Sequence, residues 1–157
     1  MRRKDREVTD RAAMLAVLSR CSCCRVGFCD GEDVYIVPLN FAFVQTGERL
    51  AFYFHGAKQG RKMALAEKNP RVGFELDTSH RLKKGESACE YSYLYESVVG
   101  EGRLSVVTDR AEKITGLQCL MRKYGGQEAW SFDGRALERV AVLRLDVEHW
   151  SCKSHVE

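Results

Sequence analysis

Proline is nearly missing, with 2 residues in 157, so a collagen-like or proline-rich chain is excluded. No apolar run approaches the roughly 18–20 residues that a membrane-spanning helix needs. Charge of one sign is not in excess either. Twenty-five Lys and Arg stand against 22 Asp and Glu, a net +3, too even a balance to point to a nucleic-acid partner. The N-terminus, MRRKDREVTD, mixes acids with bases, and the apolar stretch behind it, AAMLAVL, has 7 residues and no small-residue cleavage motif. A secretory signal is not expected. The seven cysteines are an odd set in a chain longer than most disulfide scaffolds, which favours a reduced, cytoplasmic protein. What is present is core-forming material. Hydrophobic residues make up 45% and aromatics 10%, which excludes disorder and, at this length, suits a single domain over residues 1–157.

Thr9 can cap a helix that runs to about Arg20, with Met14, Leu15 and Leu18 at helical spacing. Cys24, Val26 and Phe28 then alternate as a strand does, before an Asp30-Gly31 turn. Val34 to Val44 reads as one long strand in which Pro38 requires an edge or a bulge. Leu50 to His55 returns as its hairpin partner. A helix centred on Lys62–Glu67 ends at Asn69-Pro70, Arg71–Asp77 is a strand, and Thr78–Ser87 is a polar loop. Cys89 to Val107 holds enough β-formers for two strands around a bend or bulge at Gly100 and Gly102. Asp109 caps a third helix, which Gly125-Gly126 ends, and residues 127–137 favour neither state. Val140 to Val147 closes the chain as a strand. The order α-β-β-β-α-β-β-β-α-β predicts a mainly antiparallel β (α+β) barrel with peripheral helices.

The segment FYFHGAKQGRK, residues 52–62, carries the strongest chemical signal. A strand leads through a glycine-containing loop into a helix N-terminus, where backbone N–H groups are free and the dipole favours an anion. Arg61 adds a planar fork of donors and Lys62 a point charge. Residues 58–71 hold five bases and one acid, so a small phosphate-bearing cofactor and a solvated basic helix are both compatible with the pattern. The Gly-Lys-Ser/Thr signature of a P-loop is missing. Cys21-Ser22-Cys23-Cys24 contains a CxxC spacing, but no second pair follows it, so small structural thiols are expected and no metal. His55 at a strand end is either a hydrogen-bonded structural residue or a substrate contact. The row Tyr91, Tyr93 and Tyr95 either packs or lines a pocket or a dimer seam.

Several stretches together resemble the nitroimidazole-resistance family of the pyridoxamine-phosphate-oxidase-like, FMN-binding split barrels. They are Tyr35 to Phe41 (YIVPLNF), Tyr53-Phe54-His55-Gly56-Ala57, Gly60-Arg61-Lys62, Cys89 with Tyr95 and Ser97 to Gly102, Glu112-Lys113, and the opening Met1 to Asp5. The resemblance implies a six-stranded split barrel that forms a homodimer with FMN at the subunit interface. It puts Gly60, Arg61 and Lys62 at the phosphate and lays Val37, Pro38, Leu39 and Asn40 along the flavin ring. It also sets His55, Gly56 and Ala57 near the ring and ribityl chain, and Trp150 in a tail close to the cofactor. Tyr95 and Ser97 occupy the places of the Gln and Arg found in enzymes that oxidise pyridoxamine phosphate. Arg144-Leu145-Asp146 does not match their Arg-x-His signature, which points away from vitamin B6 oxidation. The implied activity is reduction of a small nitroaromatic or related electrophile, with His55 assisting at the substrate. The alternative is a binding module that holds flavin or another flat ligand such as haem.

Overall fold

The computed structural model describes residues 3–126 and 129–156. Met1 and Arg2 of the opening motif, and Gln127 and Glu128 of the ambiguous segment, lie outside them. Among the described residues eight strands and four α-helices follow in the order β1 (Glu7–Val8), α1 (Arg11–Arg20), β2 (Cys24–Asp30), β3 (Asp33–Leu39), β4 (Phe41–Thr46), β5 (Arg49–Ala57), α2 (Arg61–Lys68), β6 (Arg71–Lys83), β7 (Ser92–Val106), α3 (Arg110–Gly125), α4 (Gly134–Arg139) and β8 (Val140–His155), with short 3-10 turns at Lys4–Arg6 and Ala88–Glu90.

The sheet runs β3-β2-β6-β7-β8-β5-β4, with β1 added to β8. All its ladders are antiparallel. The outermost strands of that path, β3 and β4, are separated in sequence by Asn40 alone. Consecutive Cα atoms lie about 3.8 Å apart, so the sheet has to curl until its two edges meet. The result is a barrel closed by a chain crossing and open where no ladder joins β3 to β4. The mainly antiparallel barrel expected from the sequence is thus present. The single strand expected over Val34–Val44 is two strands, because β3 pairs with β2 while β4 pairs with β5. This division and the short β1 raise the count above six. Pro38 sits on the edge strand β3, where its missing N–H costs no ladder bond.

Other boundaries also move. Asp10, not Thr9, caps α1, since its carboxylate accepts the Ala13 N–H at 2.8 Å. Cys21 ends that helix, its N–H donating to the Val17 carbonyl. Cys89–Val107 gives one 15-residue strand. Its glycines absorb the bend: the register with β8 shifts between Glu101 and Gly102, and a Cβ on Gly102 would lie 2.1 Å from the Asp146 carbonyl oxygen. The expected loop over 78–87 is strand up to Lys83, paired with β7 after a shift beyond Thr78. Its exposed polar residues hide the pairing, which is carried by the backbone. The last strand continues past Val147 to His155. Asp109 and Gly126 bound α3 as expected, Gly126 in the left-handed region at φ 69°.

Phe41, Phe52, Phe54 and Phe74 fill the barrel. A second cluster of Ala42, Tyr53, Leu117, Leu120, Leu137 and Val142 joins its outer wall to α3 and α4. This explains why Leu50 to Phe54 is apolar at every position: β5 is buried on both faces.

One charge is buried with them. Glu96 is 6% exposed and accepts from Arg20 at 2.6 and 3.0 Å and from the Ser79 hydroxyl at 2.7 Å. Burial pushes its carboxyl upward, but the Arg20 and Ser79 bonds outweigh that and hold it below the ordinary carboxylate range. Such a group adds stability above the unfolded carboxylate pKa and loses it as pH falls through the folded value. Arg20→Ala is therefore expected to cost about 2–3 kcal/mol at neutral pH, under the full value for a broken buried pair because Arg20 is half exposed. Urea unfolding of both proteins checks this, and their difference should shrink in acid.

Candidate functional site

The site grows from the end of β5. Gly60 precedes α2 with φ 122°, a backbone state that side-chain-bearing residues rarely adopt, and no side chain caps the helix. The Met63 and Ala64 N–H groups bond back to the Gly60 carbonyl, so the N–H groups of Arg61 and Lys62 are those the helix leaves over. The two bases are held differently. Arg61 donates to Asp30 at 2.9 and 3.3 Å, and its guanidinium stacks 4.5 Å over the Tyr35 ring on β3. The Lys62 ammonium lies across Gly56, where a Cβ would come within 2.9 Å of Nζ. Among the described residues Lys62 has no hydrogen-bond or ion-pair partner. A cationic donor, unused helix N–H groups and a glycine floor together suit a phosphate monoester.

The β4–β5 register ends at Phe41 opposite Phe54. One step further it brings Asn40 beside His55, so the chain crossing and the end of β5 meet. His55 is exposed and shares the strand face of Tyr53, whereas Gly56 opens on the face that Lys62 covers. Ala57 follows at the end of the ladder with β8. Val37 and Leu39 lie on the same face of β3 as Tyr35 and pack against the core, while Pro38 points outward.

Tyr95, Ser97 and Trp150 are not brought to this cluster. Tyr95 and Ser97 are on β7, three strand positions from β3, or roughly 14 Å at the usual strand spacing. Tyr95 meets the His155 ring edge-on, and exposed Tyr93 stacks on His80. Trp150 is half-buried beneath the Arg11 guanidinium, 4.8 Å from its ring centroid. The outer face of β3, β2 and β6 carries an uncovered apolar groove in which Val34 and Ile36 are 69% and 61% exposed above Gly27 and Gly73.

The thiols show no such assembly. Cys21 and Cys24 are buried and Cys23 is partly so. Burial pushes the Cys21 thiol up to about 11 and that of Cys24 higher still. Among the described residues no three His, Cys, Asp or Glu side chains are grouped to hold a metal. Arg144 is committed to structure, bound to Glu112 at 2.9 Å and Asp146 at 2.6 Å.

Asp30 had no functional signal in the sequence. It reads as a turn residue, and only the fold sets its carboxylate under Arg61.

A curled antiparallel sheet open along one seam, with peripheral helices, is a split barrel. The family profile described as pyridoxamine 5'-phosphate oxidase matches residues 10–154, and the chain belongs to that family. No curated protein sequence matches closely enough to count as a relative. Among solved structures, the chain is similar to a protein of Bacteroides thetaiotaomicron assigned to 5-nitroimidazole antibiotic resistance. Their identity is 26% and the TM-score 0.81, over 94% of this chain and 85% of that one. It is also similar in fold to the flavocytochrome Anf3 of Azotobacter vinelandii, at 21% identity and TM-score 0.80, over 100% of this chain and 72% of that one. The FAD- and haem-binding protein of Mycobacterium smegmatis gives 17% and 0.81, over 97% and 74%. Among the described residues no helix is long and apolar enough to cross a membrane.

Proposed function

We propose that the protein is an FMN-dependent reductase of small nitroaromatic or related electrophilic compounds, working in the cytoplasm as a homodimer with a cofactor site between the subunits. The observation that carries this reading is the unpaired Lys62 ammonium laid over Gly56, next to an Arg61 held in place by Asp30. Gly60, Arg61 and Lys62 would hold the phosphate, and Val37, Pro38, Leu39, Asn40, Gly56 and Ala57 would border the ring and ribityl chain. Tyr95, Ser97 and Trp150 lie on β7 and β8, away from these residues in the sheet order, and a site shared by two copies would bring them in. The uncovered Val34–Ile36 face suits a second copy as well. Bound FMN supplies hydride transfer. The chain contributes the anchor, a flat glycine-floored surface, and an exposed His55 able to hydrogen-bond a nitro oxygen or give it a proton.

The purified protein should show a flavin spectrum and a mass of twice 17.9 kDa by light scattering. With reduced nicotinamide it should turn over a nitroimidazole. A Soret band would move the reading to a haem-binding module, and no chromophore together with a monomeric mass would overturn it. His55→Ala should keep FMN affinity yet slow single-turnover reoxidation of the reduced protein by a nitroimidazole about tenfold to a hundredfold. An unchanged rate would make His55 structural.

A further inference from the structure

Away from the α2 cluster, a pocket of about 240 Å³ opens between α1, β4 and α3. Its lining is Ser19, Phe43, Val44, Cys119, Arg122 and Lys123. Phe43, Val44 and Cys119 give it an apolar wall. Its charges are both positive, and no carboxylate lines it. Among the described residues neither Arg122 nor Lys123 has an ion-pair partner. The Lys123 ammonium is held by weaker contacts: 3.6 Å from the Phe41 ring centroid, 5.8 Å from that of Tyr124, and 3.5 Å from the Leu18 carbonyl oxygen. Burial pushes its pKa down to about 8, although the Cys21 and Cys24 thiols act the other way. An ammonium in that state has lost hydration without gaining a counter-ion.

We infer that this pocket is a second binding site, for a small monocarboxylate with a flat or branched apolar body. The chemistry selects the class. The two cations can receive one carboxylate, and the Phe43–Val44 wall takes the apolar part, while the Ser19 hydroxyl already donates to the Leu15 carbonyl at 2.9 Å. The pocket lies along the last turns of α3, where the carbonyl ends of the helix repel negative charge in proportion to its size, so a single charge is penalised less than a multiple one. The same dipole offers the plain explanation of Arg122 and Lys123 as basic residues that stabilise a helix end. That explanation requires no ligand and predicts no selectivity.

The test uses 4-fluorobenzoate as probe, followed by ¹⁹F NMR titration of the full chain. 4-Fluorobenzyl alcohol removes the charge and inorganic phosphate removes the apolar body. The expected result is saturable binding of 4-fluorobenzoate, at least tenfold tighter than of the alcohol, with no displacement by equimolar phosphate. Arg122→Gln, at an exposed position, should weaken it about tenfold, and Lys123→Met should weaken it at least as much. Far-UV circular dichroism establishes that each variant is folded, and Arg122→Gln carries the test alone if Lys123→Met is not. Equal binding of acid and alcohol would overturn the site. So would competition by phosphate, or full affinity in a folded Arg122→Gln protein. Flavin binding at Arg61 and Lys62 should not change in either variant, so this test stands or falls apart from the cofactor reading.

Discussion

Replacing Arg61 and Lys62 together by Ala is expected to weaken FMN binding by about a hundredfold to ten-thousandfold and to leave riboflavin within a few-fold. Each charge-assisted hydrogen bond to a phosphate is worth about 1.5–3 kcal/mol, and two add to about 3–6 kcal/mol. Riboflavin lacks the phosphate and cannot lose those bonds. The two residues should not contribute equally. Arg61 already has a carboxylate partner, Asp30 at 2.9 Å, which offsets part of its charge. Lys62 has none among the described residues and lies on the open floor at Gly56. Lys62→Ala should therefore take the larger share, and Asp30→Asn should leave FMN affinity equal or improved. Titration of apoprotein with both flavins, followed by quenching of flavin fluorescence, reads all four proteins. Equal weakening of FMN and riboflavin in the double variant would remove the phosphate assignment.

The parts of this cluster that were legible in the sequence are those in which local chain order creates the chemistry. Gly60-Arg61-Lys62 reads as a helix start from local chain order, and the strand before it reads up to His55, which the structure carries on to Ala57. Both features survive in the structure. What could not be read is what tertiary packing creates. Asp30 is 31 residues from Arg61, and nothing in an Asp-Gly turn says which base will fall beside it. The division at Asn40 was equally hidden. Apart from Pro38 and Asn40, residues 34–44 favour a strand, so local propensity argues for continuity, while sheet closure demands a switch of partner. The overlooked ends of β6 and β8 have the same origin. Strand pairing there rests on backbone bonds between residues with exposed or half-buried side chains, so the two-residue apolar alternation fades. The grouping of Tyr95, Ser97 and Trp150 with Arg61 came from resemblance to the family. The fold keeps them apart within a chain, which is why their role now rests on the proposed dimer.

Phe52→Ala is expected to cost about 3–5 kcal/mol, the range for removing a buried aromatic ring. Phe52 is fully buried at the middle of β5. Its ring centroid lies 5.3 Å from that of Phe41 on β4, 6.5 Å from Phe54 and 5.1 Å from Phe74 on β6. β5 and β6 are separated in the sheet by β7 and β8, so the contact with Phe74 crosses the barrel interior and does not follow a ladder. Neighbours fixed by backbone pairing on opposite walls cannot collapse far into the space, which sets the cost in the upper part of the range for large-to-small changes. At about 2–4 °C per kcal/mol for a chain of this size, the melting temperature should fall by roughly 6–20 °C. Tyr93→Ala, on the exposed face of β7, supplies the contrast and should stay within about 0.5 kcal/mol of the parent. Thermal and urea unfolding of apoprotein measure both, since bound flavin would add its own stabilisation. A Phe52→Ala cost under about 1 kcal/mol would mean that the barrel is held by its ladders and outer cluster and not by its aromatic interior. At a temperature where the variant is folded, its FMN affinity should stay within a few-fold of the parent, because Lys62 is carried by α2 and Gly56 lies at the strand end, beyond the interior that Phe52 fills.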